Sequence, residues 1–204
     1  IKHNYYWRAA FGNFQGTSFG ESSLIDSNRG SFFGAVNSSL QIWQAKYGDR
    51  NNPKTTQNTP NPITPGLRFN TNVSTRLDFY GSGTRQLDLS LSGGPTLTLG
   101  RFEKNFFDYT ELTISGGGTL QQGESPFSFD RNVDLATLGI GLRQQLVGPL
   151  LISGGLGVNV VPSSPYYGDF TNAYGELVWS RRGYEFAIYY SPYEEVGGVR
   201  VKLN

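Results

Sequence analysis

The sequence of 204 residues predicts an all-β fold, an antiparallel meander of about ten strands that forms an outer-membrane β-barrel or part of one. Three observations lead to this prediction. Residues 67–80 separate apolar from polar side chains with a period of two. Glycine and aromatic residues are abundant, with 27 Gly, 14 Phe and 12 Tyr. Extended segments alternate with clusters of Gly, Pro, Asn and Ser, and none has the period of a helix.

Residues 67–80 are the segment on which the rest of the prediction is built. The apolar face consists of the odd positions Leu67, Phe69, Thr71, Val73, Thr75, Leu77 and Phe79, and the polar face of the even positions Arg68, Asn70, Asn72, Ser74, Arg76, Asp78 and Tyr80. Consecutive side chains of a strand point to opposite faces. A strand this long is typical of a tilted membrane barrel, whose strands need about 9–11 residues. Taken alone, the segment also fits a long, half-exposed strand of a soluble sandwich or barrel.

Two long strands are predicted before this segment. Residues 4–15 are rich in aromatics, and Tyr5, Tyr6 and Trp7 indicate part of an interfacial aromatic girdle. A polar loop is expected over 16–30, and residues 31–47 form the second strand. Residues 48–66 contain four prolines and many Asn and Thr, so they predict a long loop, extracellular in a barrel.

The segments after residue 80 continue the meander with shorter strands. We predict strands over 86–92, continuing extended over 96–100, and over 107–116, 133–146, 150–161, 173–180, 184–190 and 199–204. Gly93 to Pro95 predicts a bulge or a turn, and Gly197-Gly198 a turn before the last strand. Short turns at Gly148-Pro149 and 181–183 alternate with longer loops, as in bacterial barrels with short periplasmic turns.

Charged and polar residues inside the predicted strands fall on one face. In a barrel they are expected to line the lumen: Arg68, Asn70, Asn72, Ser74, Arg76, Asp78, Asp88 and Arg143. The last strand, with Val199, Val201 and Leu203, is the candidate seam strand. In a soluble sandwich the same polar face would meet water instead.

Composition excludes several other classes of protein. The formal charge is only +1 and no basic run is present, so nucleic acid is not an expected partner. There is no cysteine, hence no disulfide framework or thiolate metal site. The mean hydropathy of −0.38 is compatible with a membrane barrel, because only every second strand residue meets lipid. The chain begins at Ile1 and contains no Met, so we expect a processed or truncated piece.

No arrangement of residues predicts catalysis, so we expect a protein that is not an enzyme and has no cofactor or metal. The segment Gly16 to Gly20 matches the G-x-S-x-G motif of hydrolases, but that motif requires a strand–turn–helix and a later histidine. The sole histidine, His3, precedes it. The glycine clusters 116–118 and 154–157 lack the following helix of a phosphate-binding loop, so we interpret them as strand positions of close approach.

Several short segments of the second half carry a family resemblance. They are Phe106-Phe107-Asp108-Tyr109-Thr110, Ser125-Pro126-Phe127-Ser128-Phe129-Asp130-Arg131, Gln144-Gln145-Leu146-Val147-Gly148-Pro149, Tyr174-Gly175-Glu176-Leu177, Ser180-Arg181-Arg182-Gly183-Tyr184 and Tyr190-Ser191-Pro192. In this order and spacing the chain, from about Pro65 to its end, resembles a cyanobacterial outer-membrane family. That family is similar to the lipopolysaccharide-assembly barrel, also called the organic-solvent-tolerance protein.

The resemblance implies a gated barrel in the bacterial outer membrane that transports lipopolysaccharide to the outer leaflet. Its implied partners are membrane lipid, a lipoprotein plug in the lumen and periplasmic bridge proteins, and the lipid would leave between the first and last strands. Residues 1–204 would form a single β-barrel domain, the C-terminal part of a larger barrel or a reduced version of it. The end of the chain lacks a terminal aromatic residue, so we expect the native chain to continue past Asn204.

Two further interpretations stay open at this point. One is a small-solute pore of the outer membrane. The other is a soluble or surface β-domain that binds carbohydrate or a protein partner through exposed Tyr and Trp. The apolar face distinguishes a membrane barrel from a soluble domain, because it must point outward around a barrel and pack inward in a sandwich.

Overall fold

The computed structural model describes residues 1–18, 23–45, 63–130 and 135–203, and this part of the chain forms one antiparallel sheet of ten strands. The strands are β1 (Lys2–Thr17), β2 (Leu24–Gln44), β3 (Gly66–Tyr80), β4 (Arg85–Leu99), β5 (Thr110–Gly123), β6 (Ala136–Val147), β7 (Leu150–Asn159), β8 (Phe170–Arg181), β9 (Tyr184–Ser191) and β10 (Val196–Leu203). Each strand pairs with its neighbours in sequence, in the order β1 to β10. The predicted all-β meander is therefore confirmed.

The sheet is open among the described residues, because β1 pairs only with β2 and β10 only with β9. The one helical element in these ranges is a 3-10 turn, Ser128–Asp130. No helix found there is both long and apolar enough to cross a membrane. The predicted loop over 48–66 lies outside the described residues up to residue 62.

Glycine-rich segments predicted to break strands lie inside strands instead. Gly93 to Pro95 belongs to the middle of β4, so this segment is neither a hairpin nor a strand end. The reason is close approach: a Cβ on Gly94 would lie 2.0 Å from the carbonyl oxygen of Ile114 on β5. Gly197 and Gly198 likewise belong to β10, paired with Tyr190 and Tyr189. The predicted turn at that position is wrong.

Two strands are also longer than predicted. Residues 24–30, expected in a loop, are part of β2 and pair with β1. Residues 117–123, also expected in a loop, are part of β5, because Gly117 lies directly against Ser92 and the ladder to β4 continues to Gly123. At the other end, Phe107 belongs to the connection before β5 and not to the strand.

The register places apolar and polar residues on opposite faces across the whole sheet. On the apolar face Val36, Val73 and Leu91 lie in one row, and Leu177, Ile188 and Val199 in another. Side chains of this face are largely exposed. Tyr5 and Trp7 belong to it, whereas Tyr6 points to the polar face, so the three do not form one girdle.

The sheet curls toward its polar face. Nη2 of Arg143 on β6 lies 2.9 Å from Oε2 of Glu185 on β9. In a flat sheet, strands three positions apart are separated by about 14 Å. The polar face is therefore concave and the apolar face convex.

The small hydrophobic core lies on the concave side and not between two layers. Phe102 and Tyr109, from the connection between β4 and β5, pack on Leu151, Val178 and Ala187, with Ile63 against the cluster. Gln145, which is fully buried, holds this connection: its Nε2 donates to the carbonyls of Lys104 and Gly148, and its Oε1 accepts from the N–H of Asp108. The connection thus covers the concave face at one end of the strands.

Candidate functional site

The candidate site is the concave polar face, which brings together the polar residues selected from the sequence. The eight residues predicted to face a lumen all project from this face: Arg68, Asn70, Asn72, Ser74, Arg76, Asp78, Asp88 and Arg143. Continuous rows of partners connect them, for example Arg76, Asp88 and Gln121 on β3, β4 and β5. That these side chains line a closed lumen stays a prediction.

An aspartate cluster occupies one end of this face and comprises Arg29, Arg76, Asp78, Asp88 and Asp130. Nη2 of Arg29 lies 2.8 Å from Oδ1 of Asp130 and 3.2 Å from Oδ1 of Asp78. Arg76 lies 3.0 Å from Asp78 through Nε and 2.7 Å from Asp88 through Nη2. The three carboxylates are buried, and burial of a charge is tolerated only with such partners.

Asp130 reaches the cluster because the connection between β5 and β6 folds back over the concave face. Its Oδ2 accepts hydrogen bonds from the hydroxyls of Tyr80, at 2.9 Å, and Ser125, at 3.2 Å. Its carbonyl oxygen accepts from Nε2 of Gln86 at 3.0 Å. We call residues 124–130 the latch segment.

Aromatic side chains complete the docking of the latch segment. Phe127, which is 1% exposed, stacks on Phe129 with ring centroids 4.9 Å apart and meets Tyr80 edge-on at 6.0 Å. Gly16 on β1 gives room for Phe129, since a Cβ there would lie 2.7 Å from its Cε1. The latch segment therefore narrows this end of the concave face.

A glutamate cluster lies toward the other end of the strands. It comprises Arg68, Glu111, Arg143, Glu176, Glu185 and Arg200. Arg200 lies 3.1 Å from Glu176 and 3.4 Å from Glu185, while Arg68 and Glu111 are 3.8 Å apart. These side chains are partly solvated, so each pair contributes only about 0–1 kcal/mol.

Tyr109 lies beside the glutamate cluster, in the connection before β5. Its hydroxyl donates to Oε2 of Glu111 at 3.3 Å. Burial, and then the negative charge of Glu111, raise the pKa of Tyr109 above its ordinary value of 10.0. The phenol is therefore neutral over the physiological range and acts as a hydrogen-bond donor.

Several of these residues were not predicted from the sequence. The face of Arg143 also carries Glu176, Glu185 and Arg200. Alternation within each strand assigns every second residue to this face, so the sequence does hold a signal for these three. Asp130 and Gln145 carry no comparable signal, because their roles depend on how a connection folds back. The candidate seam residues Val199, Val201 and Leu203 lie on the apolar face of the edge strand β10.

The hydrolase-like motif begins at the end of β1, and His3 lies near the start of the same strand. Gly16 and Thr17 end β1, Ser18 follows the strand, and the hydroxyl of Thr17 bonds that of Ser128. The last two positions of the hydrolase-like motif lie outside the described ranges. His3 contacts the hydroxyl of Ser38 at 2.8 Å. No group of three or more His, Cys, Asp or Glu side chains in those ranges is placed to hold a metal.

Comparison with known proteins gives one family match. The model of the family described as "Protein of unknown function (DUF3769)" matches residues 1–204. The chain belongs to this family. No curated protein and no solved structure matches the chain. The family match thus covers both faces of the sheet and both edge strands.

Proposed function

We propose that this sheet is the wall of a bacterial outer-membrane β-barrel that takes part in transport and assembly of lipopolysaccharide, or a related lipid, at the outer leaflet. The convex face meets the hydrocarbon of the membrane. The concave face lines a hydrated lumen.

The observation that carries the proposal is the exposed apolar face, which continues across all ten strands. Exposed members on the inner strands include Val73, Leu89, Ile114, Ile140, Ile152, Leu177 and Ile188. A soluble monomer rarely exposes a contiguous apolar patch larger than a few hundred Å². In the described part of the chain no second layer covers this face, as a sandwich requires.

The polar face supports the same arrangement. Its charges are arranged in pairs in the aspartate and glutamate clusters, and both clusters lie on the concave side. A hydrated lumen solvates the half-exposed charged side chains of these clusters, whereas hydrocarbon would not. The two faces therefore suit two different solvents.

The two unpaired edges support a route for lipid. A lipid with a large polar headgroup needs a hydrated path for that headgroup and an opening in the wall for its acyl chains. The sheet is open between its edge strands β1 and β10. The exposed side chains of Val199, Val201 and Leu203 lie on β10, at this opening. We place the seam there, and a lumenal lipoprotein and periplasmic bridge proteins are the partners expected with it.

Extraction and heat-modifiability test the membrane part of the proposal. The chain, folded in detergent, should migrate differently on a denaturing gel with and without boiling, and should precipitate when detergent is removed. A monomer that stays soluble without detergent would reject the membrane location.

Depletion of the protein in the bacterium that makes it tests the lipid part. Surface-exposed lipopolysaccharide should fall while total synthesis continues. Unchanged surface lipopolysaccharide with slower uptake of small solutes would instead support a simple pore.

A further inference from the structure

The middle of the concave face differs from both of its ends. Three adjacent rows of paired residues cross it from strand to strand. They are Asn4, Asn37, Asn72, Ser92, Gly117 and Thr137; Ser39, Asn70, Gly94, Ser115, Gly139, Gly157 and Asn172; and Thr96, Thr113, Gly141, Gly155 and Tyr174. All of these residues are uncharged, and the charged residues of the same region lie at its margins, where Lys2 pairs with Ser39 and Arg68 with Thr96. We call this region the neutral trough.

The neutral trough is a real concavity. It contains two adjoining depressions of about 510 and 630 Å³ that share Thr113, Ser115 and Thr137. Ligand sites are typically about 300–1,000 Å³. The depth arises because Gly139, Gly141 and their neighbours on β7 place no side chain on this face.

The polar side chains of the trough fall into two groups. Several on β2 to β5 bond one another, as Asn72 does with Asn37 and Asn70 with Thr96, whereas five others make no such bond. Ser115, Thr137, Ser153, Asn172 and Tyr174 line it, and none of them makes a side-chain hydrogen bond to another described residue. Together they present hydroxyl groups, which donate and accept, and an amide, which does both. Such a set matches a ligand that carries many hydroxyls.

An aromatic platform lies in the same depression. Tyr174 is 38% exposed, and its ring lies over Gly155, where a Cβ would come within 2.9 Å of its Cε1. The apolar C–H face of a sugar ring packs well on an exposed aromatic face. The trough therefore offers both contacts that a sugar uses.

The charges nearest to the trough are already compensated. Arg143 lies 2.9 Å from Glu185, and Arg68 lies 3.8 Å from Glu111. The one cation lining the trough without an acidic partner in the described ranges is Lys2, on the edge strand β1. A phosphate or carboxylate would find few free positive charges here.

We propose that the neutral trough binds an uncharged saccharide and favours it over saccharides that carry phosphate or carboxylate groups. The inference rests on the proposed function, since it names the chemistry of the polar cargo that the concave face receives. The hydroxyl and amide groups hydrogen-bond the sugar, and Tyr174 stacks on it.

Binding of two oligosaccharides to the chain in detergent tests the proposal. Maltohexaose is the uncharged probe and hexagalacturonate the anionic probe of equal length, with saturation-transfer NMR and calorimetry as readouts. Maltohexaose should bind saturably, at least about tenfold more tightly than hexagalacturonate. No saturable binding by a heat-modifiable sample, or tighter binding of hexagalacturonate, would overturn the proposal.

Two glycine substitutions provide a matched pair. Gly141→Leu fills the trough, and a Cβ at Gly141 has no contact closer than 3.8 Å. Gly175→Leu projects from the apolar face, and a Cβ there has no neighbour within 4 Å. Maltohexaose binding should fall about tenfold in Gly141→Leu and in Tyr174→Ala, and stay unchanged in Gly175→Leu. Equal binding by Gly141→Leu and the wild type would contradict the site.

The two proposals fail in different ways. If the chain is soluble without detergent and binds maltohexaose, the membrane proposal is rejected and the saccharide site stands. If the chain needs detergent, is heat-modifiable and binds neither probe, the saccharide site is rejected and the membrane proposal stands.

Discussion

At the residue scale, two buried polar side chains hold connections onto the concave face. Asp130 accepts from Tyr80 and Ser125 and pairs with Arg29, and Gln145 satisfies three backbone groups. Neither role was predictable, because each residue binds at least two groups that lie more than 30 positions away in sequence. Residues such as Arg76 and Asp78 were predictable, since position within a strand fixes their face.

Asp130→Asn should strongly destabilise the fold. The substitution keeps the shape of the side chain but leaves the partly buried Arg29 with Asp78 as its remaining carboxylate and weakens the bonds from Tyr80 and Ser125, at a cost of about 2 kcal/mol. Urea unfolding in detergent measures the change. Glu124→Gln, which removes an exposed carboxylate from the same segment, is the control and should change stability by less than about 0.5 kcal/mol. Equal effects of the two would show that the cluster does not hold the latch segment.

Tyr109→Phe should alter how stability depends on pH. The raised pKa of Tyr109 means that the folded state retains the phenol proton, so this contribution is complete below pH 10.0 and is lost as pH rises toward the folded pKa. From this group the free energy of unfolding of the wild type should fall by up to about 1.4 kcal/mol per pH unit. The variant lacks the group, so its free energy of unfolding should fall less steeply by that amount. Unfolding by urea at about pH 8 and about pH 11 compares the slopes. If the free energies of unfolding of the two proteins depend on pH equally, the raised pKa of Tyr109 is refuted.

At the element scale, the strands are longer than composition suggests. Gly93, Gly94 and Pro95 look like a turn, yet they lie within β4 because neighbouring backbones approach too closely there for a Cβ. A single sequence does not distinguish a glycine required by a turn from one required by close packing. The alternation in β3, with large side chains on both faces, left no such ambiguity, and that strand was predicted to within one residue.

The latch segment is held on the concave face in part by one buried aromatic side chain, Phe127. Phe127→Ala should release it, because removal of a buried phenylalanine costs about 3–5 kcal/mol. Limited proteolysis should then cut within 124–130 much faster than in the wild type. Phe129→Ala removes a ring that is 54% exposed and should have a much smaller effect. If neither variant is cut faster, the segment is held by other contacts.

At the scale of the whole molecule, the sheet combines an exposed apolar convex face with a charged and hydroxyl-rich concave face. The turns at Gly148-Pro149 and at 182–183 lie at the same end as the connection from β2 to β3. The division into one end with short turns and another with longer loops, predicted for the second half of the chain, therefore does not extend to the first half. There the tight turn between β3 and β4 lies at the end of the longer loops, because Gly93 to Pro95 continues β4 and adds no hairpin.

The central claim is that the two faces of this sheet meet two different solvents. Because the chain has no native cysteine, single cysteines at Leu89 and Ile140 on the apolar face, and at Ser74 and Ser153 on the polar face, accept spin labels without background. In lipid vesicles, oxygen should relax the first pair of labels more strongly and a water-soluble nickel chelate the second pair. Equal access of the nickel chelate to both pairs would contradict the membrane-wall account.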